Sequence, residues 1–364
     1  MSTKHVFSET PPRLKAEFQQ FDASLPVEEA LTPPASWYTL PEFLAWEKQA
    51  VFARSFQIVG SLDRLPELGS FFSGTFFGWP YLVVRTPADE IKAFFNVCSH
   101  HGTCVAQGEG KTEKLVCPYH GWTYDLDGQL RKAPQAGNIA HFAKMGLDLK
   151  PIPLSLHGRF IALRFGRDEA TAAEAEGLKA LAELDDSGLQ FVCRREYPMA
   201  CNWKVFIDNY LDGGYHVSQL HPDLAADLDL DGYRSEIFDQ HVIQSCGGLA
   251  NQSGRVGDRA KYLWTHPNFC ANRYGPWLDT NWVIPTGPNT CTVVFDYFHH
   301  GELPQADLAE LLAASDKVQQ EDMFICEQVQ RGVESGIYTQ GIYAPKFEKP
   351  MLHFHKLLAG PLLS

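Results

Sequence analysis

The chain carries two short donor pairs close together: "NVCSH" holds Cys98 and His100, and "VCPYH" holds Cys117 and His120. Each pair supplies one thiolate and one imidazole. Structural zinc accepts such a donor set, but zinc fingers usually take their Cys pair from one hairpin and their His pair from a helix. One Cys and one His from each loop is the division a [2Fe–2S] cluster needs when one iron takes both thiolates and the other both imidazoles. Neutral imidazoles make such a cluster less negative and raise its potential, which suits an acceptor of electrons from a ferredoxin. Gly102, Pro118 and Gly121 allow the tight turns that two converging loops require. His101 and Cys104 share the first loop but fall outside the donor pattern, and His101 is expected as a neighbour of the cluster.

The frame around these loops is expected to be a small all-β domain. Between residues 57 and 164, runs such as "YLVVRT", "IKAFFNV" and "GRFIALRF" alternate with Gly, Pro and Asp turns. "YDLDGQL" reads as a hairpin on an Asp-Gly turn. Before this region, residues 40–56 read as a short amphipathic helix with Pro near its start. After it, "EATAAEAEGLKALAELDD" reads as a helix at a domain boundary. The second half mixes strands such as "TCTVVFDYF" with a long helix over residues 305–334 that stops at Gly336. That order predicts an α+β domain in which a helix lies on an antiparallel sheet.

Composition removes several function classes. A chain of 364 residues with 45% hydrophobic residues can bury two cores. A net charge of -13 argues against a nucleic-acid footprint. No run approaches the roughly eighteen apolar residues of a membrane span. The first residues lack an apolar signal core, and nine widely spread Cys do not make a secreted disulfide scaffold. A reducing cytoplasm is the expected compartment. A cluster used for respiratory electron carriage is disfavoured: respiratory Rieske proteins resemble one another in a disulfide tying the two loops, and only "PY" separates Cys117 from His120.

A second donor constellation lies in "NWKVFIDNYLDGGYHVSQLHP", which offers His216 and His221 with Asp208 and Asp212 upstream. Two His and one carboxylate on one face of Fe(II) leave positions open for O₂ and substrate. Residues five apart sit about 140° around an ideal helix, so Gly213-Gly214 and Pro222 must supply irregular backbone. Taken alone, two such His are more often ordinary polar residues, but an electron relay on the same chain needs a destination. The third ligand is sought in the long helix, at Glu321 or Asp322. Leu308, Leu311, Val318, Ile325, Cys326, Val329 and Val333 form an apolar stripe that includes Asp322 and leaves Glu321 on the side of Lys317 and Gln328. An unpaired carboxylate on a buried stripe is costly unless a cation compensates it, so Asp322 is the expected ligand.

With these features the chain resembles the Rieske non-haem iron oxygenases of the α-subunit type, and within them the choline-monooxygenase branch. The stretches that carry the resemblance are "TPPASWYT", "NVCSHHG", "VCPYHGW", "NWKVFIDNYLDGGYHV", "RYGPW", "CEQVQRG" and "FHKLL". The resemblance implies that Cys98, His100, Cys117 and His120 hold the Rieske cluster and that His216, His221 and Asp322 hold a mononuclear Fe(II). It implies an N-terminal segment (residues 1–49) packed on the catalytic domain, a Rieske domain (50–165) and a helix-grip catalytic domain (166–364). It also implies a cyclic homotrimer and a separate ferredoxin or flavin reductase that passes electrons from NAD(P)H. Many relatives carry an acid three residues before the first His ligand, bridging it to the neighbouring subunit's cluster. Here that position is Gly213. Asp212 and Asp208 are the candidates for that electron-path role, Asp208 being favoured as a support for His216.

The substrate expected from this resemblance is a small quaternary ammonium compound, choline or betaine-like, held by cation–π attraction. Residues 262–298 are rich in aromatics, and Tyr274 and Trp277 of "RYGPW", with Trp264, are the expected contacts. Two other readings stand beside it. One is an aromatic-ring hydroxylating oxygenase of the same architecture. The other is a Rieske electron-transfer protein whose C-terminal domain only docks partners.

Overall fold

The computed structural model describes residues 12–138, 141–166, 171–249, 257–302 and 304–363. It forms two compact units: Phe56–Arg167, and a second to which the chain through Ser55 and the chain from Asp168 onward both contribute. The first unit begins at Phe56 rather than at residue 50. Val51, Phe52 and Ala53 are buried in the second unit, where Phe52 meets the edge of Trp203 at 5.0 Å.

The first unit is built from three small antiparallel sheets. One joins Phe56–Ser61, Phe160–Arg164 and Leu154–His157; a second joins Ile91–Phe95, Trp79–Arg85, Ser70–Phe76 and Glu109–Lys111. The third pairs Leu115–Val116, Thr123–Tyr124 and Leu130–Lys132. The Asp-Gly turn expected in "YDLDGQL" closes this last hairpin, where Tyr124 pairs with Leu130. Gly128 is obligatory there: its φ is +83°, and a Cβ would stand 2.5 Å from the Phe94 ring. Leu82, Phe94, Leu115, Trp122, Tyr124 and Leu149 form a core that also encloses Cys98 and Cys117.

The second unit is α+β. Its seven-stranded antiparallel sheet has the order Leu189–Met199, Thr290–His300, Trp277–Gly287, Phe269–Tyr274, Arg259–Thr265, His241–Gly248 and Leu228–Ile237. The long helix Gln305–Glu334 lies against it and ends before Gly336, whose φ is +74°. Tyr297 Oη lies 3.0 Å from Ser315 Oγ, tying sheet to helix. The buried positions of this helix are Leu312, Ser315, Gln319, Cys326, Gln330 and Val333, and half of them are polar. The apolar stripe read from sequence is therefore displaced: Val329 is 46% exposed. Hydrophobicity misplaces a face that is buried for its hydrogen bonds.

The N-terminal segment belongs to this unit. Phe18 packs on Trp37, Phe43 and Trp46 at 4.8, 4.8 and 5.0 Å. Leu31 bridges Ile342, and Thr32 N donates to Gly341 O. Residues 1–11 of the expected segment lie outside the described residues. The helix Pro41–Ala50 contributes Glu47, whose Oε1 lies 2.6 Å from Lys204 Nζ and whose Oε2 accepts from Trp203 Nε1 at 2.8 Å. Both members of the pair are almost fully buried, and burial pushes the Lys204 pKa down while Glu47 opposes the shift. Breaking such a pair strands a buried charge. It therefore fixes the start of the helix Trp203–Tyr210, which leads into the site.

Candidate active site

Asn202 caps the helix Trp203–Tyr210 by accepting from Lys204 N, and the helix unwinds at Leu211. Gly213 and Gly214 then adopt φ of +72° and +78°. This turn lets the Asp212 side chain fold back over Gly214, Tyr215 and His216. Its Oδ1 accepts from the backbone of Gly214 and Tyr215, and its Oδ2 from His216 N. The same Oδ2 lies 2.6 Å from His216 Nδ1. A carboxylate can only accept, so Nδ1 carries the proton and Nε2 presents a lone pair. After the short helix Val217–Leu220, His221 leaves helical geometry at φ -121°, ψ 66° ahead of Pro222. The irregular backbone needed between the two His is thus present.

His221 repeats the pattern from the other side. Its Nδ1 lies 2.7 Å from Glu321 Oε2, and its Nε2 lies 3.0 Å from Asp322 Oδ1. Asp322 Oδ1 also stands 3.9 Å from His216 Nε2 and accepts from Asn209 Nδ2 at 2.8 Å. One donor atom from each of His216, His221 and Asp322 falls within 4.8 Å of the others. With both Nδ1 atoms committed to carboxylates, two Nε2 lone pairs and a carboxylate oxygen face one another. Such a set is repulsive until a cation enters it, which is the donor chemistry of a two-His, one-carboxylate metal site. Burial opposes protonation of His221, but Asp322 and Glu321 outweigh it and raise its pKa.

Glu321 is a correction to the sequence reading, which placed it away from the site. Two consecutive helix positions are about 100° apart, and His221 enters between them, so each acid reaches one ring nitrogen. Asp208 is also placed elsewhere than expected. Its Oδ2 accepts from Tyr38 Oη at 2.7 Å, and its Oδ1 lies 2.8 Å from His355 Nε2. It ties the N-terminal segment and the helix Lys349–Leu363 to the helix Trp203–Tyr210, and it is Asp212 that bonds His216.

In the first unit the other four donors converge. Cys98 and Cys117 are buried, while His100 and His120 are exposed, with their Nδ1 atoms 3.1 Å apart. Trp122 stacks on His100 at 4.6 Å, and Tyr124 Oη lies 3.3 Å from Cys98 Sγ. Thiols inside and imidazoles outside, with facing nitrogens, fit a cluster bound at the tip of two loops. His101 adjoins His100 at 3.9 Å between ring centres, as a neighbour outside the four donors.

A cavity of about 130 Å³ opens on His216, His221 and Asp322. Its aromatic wall comes from Phe206, Tyr210, Tyr233, Tyr262, Tyr274 and Phe295. Of the three aromatics expected to meet substrate, only Tyr274 lines it. Trp264 is fully buried, donates to Pro267 O at 3.2 Å and packs on Phe354. Trp277 pairs with Tyr274 at the hairpin but rests on His299, outside the lining. Sequence reasoning did not single out Asn209 or the cavity residues Asn272, Asp279 and Asn281. Polar residues at alternate strand positions (Asn272; Asp279 and Asn281) are the signal that could have found the last three.

A Rieske-type loop pair and a two-His, one-carboxylate site beneath a helix-backed antiparallel sheet define a Rieske non-haem iron oxygenase. Residues 55–143 match the Rieske [2Fe-2S] domain, and residues 187–361 match the ring hydroxylating alpha subunit (catalytic domain). The chain is similar to a chloroplastic choline monooxygenase of Arabidopsis thaliana, with 45% identity over 93% of this chain and 85% of that protein. It is 29% identical to the carnitine monooxygenase oxygenase subunit of Escherichia coli (strain K12), over 91% of this chain and 94% of that one. A crystal structure of the quaternary ammonium Rieske monooxygenase CntA superposes with a TM-score of 0.83 at 26% identity, covering 91% and 95% of the two chains. The chain belongs to the ring-hydroxylating α-subunit family of Rieske non-haem iron oxygenases. Membership implies a Rieske [2Fe–2S] cluster and a mononuclear iron.

Proposed function

We propose that this protein is the oxygenase component that hydroxylates a small quaternary ammonium compound, choline or betaine-like, with O₂. Cys98, His100, Cys117 and His120 would hold the cluster, and His216, His221 and Asp322 the iron. The iron, when bound, supplies the one-electron chemistry that activates O₂. Asp212 and Glu321 hold the two imidazoles in one tautomer, and Asn209 orients Asp322. The aromatic residues of the wall are available for cation–π contact with a trimethylammonium group. Hydroxylation of choline's alcohol carbon gives the hydrate of betaine aldehyde; hydroxylation of a betaine N-methyl gives a hemiaminal that releases formaldehyde.

The observation that carries this reading is the convergence of His216, His221 and Asp322 on an aromatic-lined cavity. The names of the choline and carnitine monooxygenase relatives support the substrate class. Among the described residues, no helix is long and apolar enough to cross a membrane. A cytoplasmic homotrimer fed by a ferredoxin or flavin reductase, ultimately from NAD(P)H, completes the proposal. The test is O₂ uptake by enzyme loaded with cluster and iron, given a surrogate reductase and choline, glycine betaine, carnitine or simple aromatic acids. Substrate-dependent uptake with a quaternary amine supports the reading. Uptake with aromatic acids alone replaces it with ring hydroxylation, and uptake with none of them, despite a reducible cluster, leaves an electron-transfer protein.

A further inference from the structure

The cavity wall contains a buried amide that the iron site does not use. Gln319 stands on the long helix four residues after Ser315 and three before Asp322, and all three line the cavity. That spacing puts them on one helix face. Gln319 is only 2% exposed. Among the described residues its single hydrogen-bond contact runs from Nε2 to Met199 Sδ, at 3.9 Å. A thioether can only accept, and weakly, so an amide N–H faces the sulfur and the carbonyl oxygen is the end left over.

Other polar groups of the wall are accounted for. Ser315 Oγ meets Tyr297 Oη at 3.0 Å, Asn209 Nδ2 donates to Asp322 Oδ1 at 2.8 Å, and Tyr210 Oη donates to Asn272 Oδ1 at 2.7 Å. Gln244, a second glutamine of the lining, donates from Nε2 to Tyr210 O at 2.9 Å, and its Oε1 is shut off from solvent. The Gln319 oxygen is not among the unpartnered atoms shut off in this way, so a molecule in the cavity can reach it. A buried carbonyl oxygen is costly to leave unpaired. An apolar side chain of the same length would fill this position without that cost. A glutamine is useful here when something in the cavity donates to it.

We infer that Gln319 is a substrate-binding residue whose carbonyl oxygen accepts a hydrogen bond from an O–H group of the substrate. This rests on the quaternary ammonium reading above and deepens it, by naming the protein group that holds the polar end of the substrate while the ammonium meets aromatic faces. The amide is uncharged, so the contact does not depend on the charge of the iron or of the acids around it. Asp322 lies about one helical turn further on, so a hydroxyl held by Gln319 is held on the side of the cavity that carries an iron ligand. A ligand without the donor leaves the oxygen bare, and that penalty is what discriminates.

The test is a cycle between protein and ligand, read by anaerobic titration calorimetry on enzyme with cluster and iron intact. The ligands are choline, its O-methyl ether and ethyltrimethylammonium, which share the trimethylammonium head and differ in the O–H. The proteins are the native chain and Gln319→Met, whose side chain has similar length and no amide. Native enzyme should bind choline about 10-fold more tightly than either analogue. Gln319→Met should bind all three within about threefold of one another, with the loss confined to choline. A merely structural role would weaken all three ligands together, and that result overturns the assignment. A preference for choline that survives in Gln319→Met overturns it as well. If the variant does not fold, the native protein decides: equal binding of choline and its two analogues means that water alone serves the amide and overturns the assignment, and the 10-fold preference upholds it. If no quaternary amine binds or supports O₂ uptake while aromatic acids do, the parent reading fails instead, a result visible without any variant.

Discussion

His216 Nδ1 stands 2.6 Å from Asp212 Oδ2, and that contact determines which ring nitrogen faces the cavity. The same Asp212 accepts three backbone N–H groups of the turn that carries His216. One carboxylate thus shapes the loop and chooses the tautomer. Outer partners of this kind typically change metal affinity by about 10–100-fold when removed. Asp212→Asn should lose mononuclear iron by that order while the Rieske absorption is unchanged. Asp208→Asn should keep its iron and lower the thermal midpoint, because its partners are Tyr38 and His355. Metal analysis normalised to cluster absorbance, with a melting curve for each variant, checks both; the opposite ranking would show that Asp208 supports His216 after all.

Glu321 supplies a second comparison. Glu321→Ala leaves the Nδ1 of a nearly buried His221 without its acceptor. Iron retention should therefore fall in the order native, Glu321→Gln, Glu321→Ala, Asp322→Ala, with product formation following it. Glutamine still offers a carbonyl oxygen to Nδ1–H, so its loss should be the smallest of the three. Native iron affinity and turnover in Glu321→Ala would make the His221 contact incidental.

Gly213 marks where this chain parts from relatives that carry an acid three residues before the first His. A Cβ at Gly213 would lie 2.3 Å from Phe347 O, and the residue's φ is +72°. The backbone of the C-terminal segment occupies the space a side chain would need. Gly213→Glu should therefore not install a bridging acid; it should destabilise the catalytic unit by about 2–4 kcal/mol. Chemical denaturation monitored by circular dichroism measures this. A stable Gly213→Glu protein with faster cluster oxidation in single turnover would refute the steric argument.

Much of this site was legible in the chain because metal chemistry leaves few choices. Cys98-x-His100 and Cys117-x-x-His120 stand out as candidate donors by type and spacing alone, and His216 and His221 gain meaning beside them. The long helix was legible in extent, from residue 305 to 334, but not in its buried face. Ser315, Gln319 and Gln330 point inward for hydrogen bonds, a preference that an apolar period does not register. Glu321 was misread for that reason. Trp264 and Trp277 were misread because aromatic residues fill cores as readily as they line pockets. Asn272, Tyr274 and Asp279 come together in the cavity wall only through the pairing of neighbouring strands, which the sequence does not display.

His266 provides a pH test independent of catalysis. Its Nδ1 is shut off from solvent and has no hydrogen-bond partner among the described residues, and the ring lies edge-on to Trp264 at 5.9 Å. Burial, assisted by the positive charge His353 would carry, lowers its pKa from 6.5 to about 3. The folded state therefore holds this imidazole neutral, while the unfolded chain takes up a proton near its ordinary value. Between those two values the unfolded state binds more protons, so stability falls as pH falls below about 6.5 and is unaffected by this residue above it. The slope approaches about 1.4 kcal/mol per pH unit, or about 2 kcal/mol by pH 5. His266→Gln removes the titration. Urea unfolding of native and variant protein at matched pH isolates the effect, because carboxylates and site imidazoles common to both cancel in the difference. The stability difference between the two should be constant from pH 8 to about 6.5 and then shift toward the variant by about 2 kcal/mol at pH 5; a difference independent of pH would mean that His266 is not held neutral in the fold.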